Sequence, residues 1–152
     1  MPRCASCKGA LKKGTVVHTA KVGDVRFRAE LPASVCEHCA EDYVDAEQLG
    51  RFELLAAQRL AEAGTRSPEV FRFLRKVLGL RAADVATVIG VRPETVSRYE
   101  NGSLDIDPHR WAILCTVVID KAAGRDDALQ RFRAAEAGPI KKLPRRIQLK
   151  VA

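Results

Sequence analysis

Four of the five cysteines fall into two pairs of identical spacing near the start of the chain. Cys4 and Cys7 form one Cys-x-x-Cys pair, and Cys36 and Cys39 form the second. This spacing lets a tight turn direct both sulfurs of a pair at one tetrahedral ion, and two such pairs are typical of a zinc site. A shell of four thiolates has no open position for water or substrate. We therefore expect one structural Zn²⁺ per chain, whose binding stabilises the fold.

Other uses of these cysteines fit the sequence less well. Two disulfides need an oxidising compartment, and a redox Cys-x-x-Cys pair begins a helix inside a βαβ pattern that is absent here. His18 and His38 are further donors, but with four cysteines available we expect them at the surface or beside the site rather than as ligands. Cys115 stands alone in the second half of the chain, and we expect it to be a small buried hydrophobe.

The residues between the two cysteine pairs are predicted to form a β-hairpin. Residues 15–21 and 25–31 are rich in Val, Thr and Phe, and the intervening Val22-Gly23-Asp24 is typical of a turn. So small a sheet could hardly bury enough surface to fold alone, which agrees with a need for metal.

A helix is predicted after the second pair. Asp45 and Gln48 have the spacing of a capping box. The apolar residues that follow at helical spacing are Leu49, Phe52, Leu55, Ala56 and Leu60. Either this apolar stripe covers the zinc module, or part of it binds another protein.

The second half of the chain is predicted to form a series of about five short helices. Gly79 and Gly90 stand where left-handed caps would end the first two, and Pro93 opens the third. Small Ala86, followed four residues later by Gly90, is the pattern of two helices that cross over a tight turn. The expected helices are Ser67 to Gly79, Ala82 to Ile89, Pro93 to Tyr99, one opened by Asp107 and Pro108 that carries Trp111, and one marked by Leu129 and Phe132.

Composition indicates a globular protein with an anionic partner. The chain has 152 residues, of which 47% are hydrophobic and 30% charged, and its net charge is +7. Residues 1–64 are neutral, and the five Lys and Arg of residues 138–152 supply most of the surplus charge. There is no apolar run of about 20 residues and no apolar secretory core. We expect a soluble cytoplasmic protein.

These patterns predict an α+β, two-domain protein. Residues 1–64 form the zinc-binding module, a small β-hairpin with its closing helix. Residues 65–138 form an all-α domain, and residues 139–152 form a basic tail. The boundary is placed at Gly64 to Pro68, where one helix can end and the next begin. The tail could reach DNA phosphates or could be a solvated terminus.

The second segment resembles the Xre/Cro type of helix-turn-helix. The resemblance is carried by Leu78-Gly79-Leu80, Ala86, Gly90-Val91 and the string Glu94-Thr95-Val96-Ser97-Arg98-Tyr99-Glu100-Asn101-Gly102. The cysteine module resembles the YgiT-type zinc finger, and the two joined in this order are similar to MqsA-type antitoxins. This resemblance implies a homodimer held by its C-terminal domains, an operator in double-stranded DNA, and a ribonuclease toxin bound through the zinc module.

The resemblance also indicates the DNA-binding residues. Arg98 matches the arginine that reads bases, and Glu94 stands where relatives often have Asn or Gln. Thr95 and Ser97 lie beside them, and Arg92 at the start of the helix suits a backbone phosphate. Because Glu only accepts hydrogen bonds, we expect an operator that differs from those of relatives. Tyr99 is expected to pack inside the domain, and Glu100 to pair with an amide or an arginine.

The expected function is sequence-specific transcriptional repression by the antitoxin of a type II toxin–antitoxin pair. No hydrolytic or transfer motif is present, so we do not expect an enzyme. One alternative is a stand-alone zinc-containing regulator of the same architecture. A second is a protein-interaction adaptor that has lost DNA binding, which would suit Glu94 and the small charge of the helical segment.

Overall fold

The computed structural model describes residues 2–135 and 142–151. Within these residues, three strands precede six helices: β1 (Leu11–Val22), β2 (Val25–Cys36), β3 (Asp42–Val44), α1 (Ala46–Ala63), α2 (Pro68–Val77), α3 (Ala82–Ile89), α4 (Pro93–Asn101), α5 (Pro108–Ala122) and α6 (Asp127–Ala134). The predicted α+β architecture is confirmed, with a hairpin module and its helix followed by five helices. Part of the predicted basic tail, residues 139–141 and 152, lies outside the described residues.

Strands β1 and β2 form one long antiparallel hairpin. Pairing runs without interruption from Leu11 opposite Cys36 to Val22 opposite Val25, so both strands are longer than predicted. Gly23 adopts a φ of 56° in the two-residue turn, a conformation that glycine takes without strain. The ladder brings the start of β1 and the end of β2 together, and with them the two cysteine pairs.

Strand β3 was not predicted. It pairs antiparallel with β2, from Ala33 opposite Val44 to Val35 opposite Asp42. Three residues are too few for an alternation of apolar and polar side chains to be recognised in the sequence. The strand returns the chain from the second cysteine pair to the sheet and leads into α1.

Helix α1 departs from the sequence prediction in two details. Asp45 and Gln48, both among the described residues, form no capping box, because the Asp45 side chain makes no capping hydrogen bond. Leu55 is 49% exposed, so its assignment to the buried stripe was wrong. The buried stripe instead includes Ala57 and Ala61, which a count of large apolar residues overlooks.

Helix α1 is shared between the hairpin and the helices that follow. It packs against β2, α2 and α5. Its residues Ala57, Leu60 and Ala61, together with Val22 near the hairpin turn, lie in the same buried cluster as the core of α2 to α6. The helix therefore does more than cover the hairpin: it also forms one wall of the helical core.

The junction between α1 and α2 has the caps that the sequence predicts. Gly64 ends α1 with a φ of 67°. Ser67 accepts a hydrogen bond from the Val70 amide at 3.2 Å, and Pro68 occupies the first turn of α2. The division into residues 1–64 and 65–138 stays a prediction, since residues on both sides of it contribute to one buried core.

The helical core is built from large side chains that are almost completely buried. Phe71 and Leu74 of α2 meet Ile89 of α3 and Leu114 and Val118 of α5 in this core. Burial of each such side chain stabilises the fold by about 1.5–3 kcal/mol. Within residues 2–135 and 142–151, no helix is sufficiently long and apolar to span a bilayer.

Candidate metal centre and nucleic-acid interface

The four paired cysteines lie together at the end of the hairpin opposite its turn. The Sγ atoms are 3.6 Å apart in Cys4 and Cys39, 3.4 Å in Cys7 and Cys36, and 3.5 Å in Cys7 and Cys39. All four lie within 4.8 Å of one another. Zn–S bonds of about 2.3 Å in a tetrahedral shell separate the sulfurs by about 3.8 Å. The cysteines are not disulfide-bonded, and their arrangement fits a single metal ion.

The two Cys-x-x-Cys turns have the same backbone geometry. The Lys8 amide donates to the Cys4 carbonyl at 3.0 Å, and the Ala40 amide donates to the Cys36 carbonyl at 3.0 Å. Lys8 and Ala40 each follow the second cysteine of a pair and have φ values of 61° and 58°. Non-glycine residues in this left-handed region cost free energy and persist where the surroundings enforce them. A metal that holds both sulfurs of each turn supplies such a constraint.

Backbone amides also point at the sulfurs. The Gly9 amide donates to Cys7 Sγ at 3.4 Å, and the His38 amide donates to Cys36 Sγ at 3.4 Å. The amides of Cys39 and His38 lower the pKa of Cys36, which favours the thiolate that a metal requires. His38 is exposed, and its contribution to the site comes from the main chain.

Tyr43 of β3 supports the first cysteine pair, a role that sequence reasoning missed. Its Oη accepts from the Ala5 amide at 3.0 Å and lies 3.3 Å from Cys4 Sγ and 3.0 Å from Glu41 Oε2, so its one proton is shared between these two acceptors. The hydrogen bond with Tyr43, followed by the Cys7 amide, lowers the pKa of Cys4 to about 6. No sequence signal marks Tyr43, because its place beside Cys4 depends on the unpredicted β3.

Gly9 is a second residue that the analysis of the sequence missed. A Cβ atom at this position would lie 3.0 Å from His38 Cβ, 3.1 Å from Cys36 Sγ and 3.2 Å from Cys7 Sγ. We expect Gly9→Ala to weaken metal binding about 10- to 100-fold, the range for residues that position metal ligands. Competition with a chromogenic chelator measures this. Gly50→Ala is the matched control, because a Cβ there meets nothing within 4 Å; equal affinities for the two variants would contradict the prediction.

Helices α3 and α4 are joined by the tight turn that the sequence predicts. Helix α3 ends at Gly90, which has a φ of 68°, and the Val91 amide donates to the Ala86 carbonyl at 2.9 Å. A Cβ on Gly90 would meet Arg110 Nη1 at 3.3 Å. The bounds of α3 agree with the predicted helix, and α4 continues two residues past Tyr99.

Helix α4 has one buried face and one exposed face. Val96 and Tyr99 are buried, and the Tyr99 ring meets the Phe71 ring edge-on at 5.6 Å between centroids. Of the five residues predicted to bind DNA, Thr95 is half-buried and the other four are exposed: Arg92, Glu94, Ser97 and Arg98. The structure thus brings these residues to the start and the outer face of one short helix. Their contact with DNA stays a prediction.

Residues 71–117, which run from α2 into α5, match the helix-turn-helix family model. This part of the chain is an Xre-type helix-turn-helix domain. Such domains insert the second helix of the motif into the DNA major groove, and in this chain that helix is α4. No curated protein matches the sequence. The domain match indicates a DNA-binding transcription regulator.

Glu100 is held inside the helix-turn-helix domain. Its carboxylate accepts hydrogen bonds from Arg75 Nε and from Arg75 Nη2, the latter at 3.1 Å, and Arg72 Nε lies 3.5 Å away. Arg75 also donates to the Leu80 carbonyl at 2.9 Å. Glu100 thus ties α4 to α2 and to the chain that follows α2, as expected of a structural partner rather than a residue that reads DNA.

Cys115 lies apart from the metal centre, in the buried face of α5. Burial raises the pKa of its thiol to about 11, so the side chain is a neutral thiol near pH 7. This agrees with the expected role as a small packed hydrophobe.

Proposed function

We propose that this protein is a dimeric transcriptional repressor and the antitoxin of a type II toxin–antitoxin pair. The single observation that carries DNA binding is the exposed outer face of α4 within an Xre-type helix-turn-helix domain. The antitoxin role is supported by the resemblance to MqsA-type proteins, in which a four-cysteine module precedes such a domain. The protein binds its own operator and neutralises a ribonuclease toxin.

Each exposed residue of α4 has a distinct part in this proposal. Arg98 donates to guanine O6 and N7 in the major groove, the pairing that suits a planar fork of donors. Arg92 precedes the helix and makes no capping bond with its side chain, so its charge is available to a backbone phosphate at the helix N-terminus. Thr95 and Ser97 offer hydroxyls to bases or phosphates.

Repression requires two copies of the helix on one operator. Helix-turn-helix dimers bind half-sites about one helical turn apart, and the symmetry of the operator mirrors the protein two-fold axis. We place the dimer contact in the C-terminal domain, as the resemblance implies. Measurement of molar mass in solution tests it.

The metal centre has a structural part in the proposed function. Zn²⁺ held by Cys4, Cys7, Cys36 and Cys39 fixes the end of the hairpin module, and the proposed toxin binds this module. Four sulfurs within 4.8 Å of one another can fill every position of a tetrahedral ion, which would leave none for a reacting group. The protein thus acts by binding, and we propose no catalytic activity.

Arg98→Ala is expected to weaken operator binding by about 1–3 kcal/mol and to relax the preference at one base pair of each half-site. Fluorescence anisotropy with DNA from upstream of the gene, over a range of salt concentrations, measures both effects. Arg59→Ala removes the same charge from an exposed position on α1 and should bind as the natural protein does. If the two variants lost operator affinity equally, Arg98 would contribute only its charge to binding.

The antitoxin part of the proposal has its own test. A ribonuclease-like reading frame beside this gene should encode a protein that stops growth when expressed alone and is neutralised when this chain is expressed with it. Complex formation should require the N-terminal module. If the neighbouring genes encode no such protein while operator binding is retained, the chain is a stand-alone regulator.

A further inference from the structure

Glu94 is an exposed carboxylate at the start of α4, the helix that the proposed function places in the major groove. It follows Pro93 in the first turn of α4 and is exposed. Among the described residues, the ion pairs include neither Glu94 nor Arg98. The second carboxylate of α4, on Glu100, is 8% exposed and bound by two arginines. The helix therefore uses one carboxylate internally and leaves the other available to a ligand.

The chemistry of a carboxylate restricts what Glu94 can contact on DNA. It only accepts hydrogen bonds, so phosphates, guanine O6 and N7, and thymine O4 all repel it. The donors in the major groove are cytosine N4 and adenine N6, and adenine places its N7 acceptor beside the amine. Cytosine is the base whose hydrogen-bonding edge suits Glu94 best.

Arg98 lies four residues further along the helix, one turn beyond Glu94. Four residues advance an α-helix by about 6 Å, and successive base pairs are about 3.4 Å apart. Two side chains at this spacing reach bases one or two steps apart. A helix that offers an acceptor and a bidentate donor in this order suits a cytosine and a guanine that lie close together.

We propose that Glu94 is a specificity-determining residue that selects a cytosine in each operator half-site, one or two base pairs from a guanine bound by Arg98. This inference rests on the proposed DNA-binding function and adds the base identity at one position. It also gives Glu94 a role other than stabilisation of the helix N-terminus, where an acidic residue interacts favourably with the helix dipole.

Changing both the side chain at position 94 and the base that it contacts tests this assignment directly. A glutamine side chain at this position would pair with adenine N6 and N7, so Glu94→Gln should change the preferred base from cytosine to adenine. Selection from randomised duplexes identifies the position in the natural protein and in the variant. Anisotropy titrations of both proteins, each with a duplex that carries cytosine and with one that carries adenine at this position, should then show opposite preferences. We expect each mismatch to weaken binding about 5- to 150-fold, which corresponds to about 1–3 kcal/mol.

Glu69→Gln is the matched control, because Glu69 follows Pro68 in the first turn of α2 as Glu94 follows Pro93 in α4. It removes a helix-start charge without touching α4 and should retain the cytosine preference. The inference is overturned if the natural protein selects a site without a cytosine at this spacing, or if Glu94→Gln keeps the natural base preference. A natural protein with no sequence preference at all would instead overturn the proposed function, and this inference with it.

Discussion

Replacing Cys36 with serine is expected to abolish stoichiometric metal binding and to unfold the cysteine turns, while the helices remain folded. Three thiolates cannot complete the tetrahedral shell, and the binding of a structural zinc ion contributes about 10–16 kcal/mol to the folding of small zinc modules. This is the largest effect of any single substitution that the structure suggests. It concerns the end of the hairpin where the four sulfurs meet.

The unfolding should be confined to the end of the hairpin that carries the cysteines, because the two ends of the hairpin are stabilised differently. Near the turn, Val22 is buried in the core that includes α2 and α5. At the opposite end Cys4 and Cys36 are buried, while Lys8, Ala10 and most neighbouring residues are exposed. Without metal, no extensive apolar core replaces the lost bonds there. Residues 3–10 and 36–44 should therefore lose their hydrogen bonds first.

Zinc content per chain and amide hydrogen exchange measure the two parts of this prediction. Exchange should accelerate in the cysteine turns and stay slow in α2 and α5, and the helical circular dichroism should change little. Cys115→Ser is the control, because it removes the one cysteine outside the cluster and should leave the zinc content unchanged. A Cys36→Ser protein that keeps one zinc per chain and native protection would rule out the assigned site.

Local signals in the sequence were sufficient for the metal centre and for most of the helices. Two cysteine pairs of fixed spacing specify a site whatever lies between them, and the structure brings all four sulfurs together. Gly79 and Gly90 both adopt positive φ values, and Pro93 begins α4. These residues act through their own backbone preferences, so a single sequence is enough to recognise them.

The features that sequence reasoning missed depend on distant parts of the chain. The neighbours of α1 could not be predicted, because its buried alanines have little hydrophobic signal and their partners are the later helices α2 and α5. Tyr43 reaches Cys4 only through the three-residue strand β3. Leu55 has the spacing of a buried residue, yet 49% of it remains exposed among the described residues.

The DNA-binding face was predicted from the resemblance, as were the packing of Tyr99 inside the domain and the structural pairing of Glu100; the structure identifies their partners as Phe71 and Arg75. Tyr99 is buried, and Glu100 is bound by Arg75. Glu94 and Glu100 were already predicted from the sequence to have different roles, although both are acidic residues of one helix. Their different burial and partners separate them.

Replacing Glu100 with alanine is expected to reduce the free energy of unfolding of the helical domain by about 3–5 kcal/mol. The Arg75 side chain is only 14% exposed and the Glu100 side chain 8%, so the substitution leaves a cation largely buried without its counter-ion. Because the pair joins α2 to α4, the loss should also impair operator binding. Urea denaturation followed by circular dichroism measures the change in stability.

Two further variants separate the buried pair from surface charge. Arg72→Ala removes the other arginine near Glu100. The Arg72 side chain is 59% exposed, so this substitution should reduce the free energy of unfolding by no more than about 1 kcal/mol. Arg75→Met combined with Glu100→Leu replaces both charges by apolar groups and should recover most of the lost stability, since a buried ion pair gains little over good apolar packing. If Glu100→Ala and Arg72→Ala prove equally mild, the pair contributes no more than an exposed ion pair. If the double variant is as unstable as Glu100→Ala, the cost arises from lost packing or geometry and not from an uncompensated charge on Arg75.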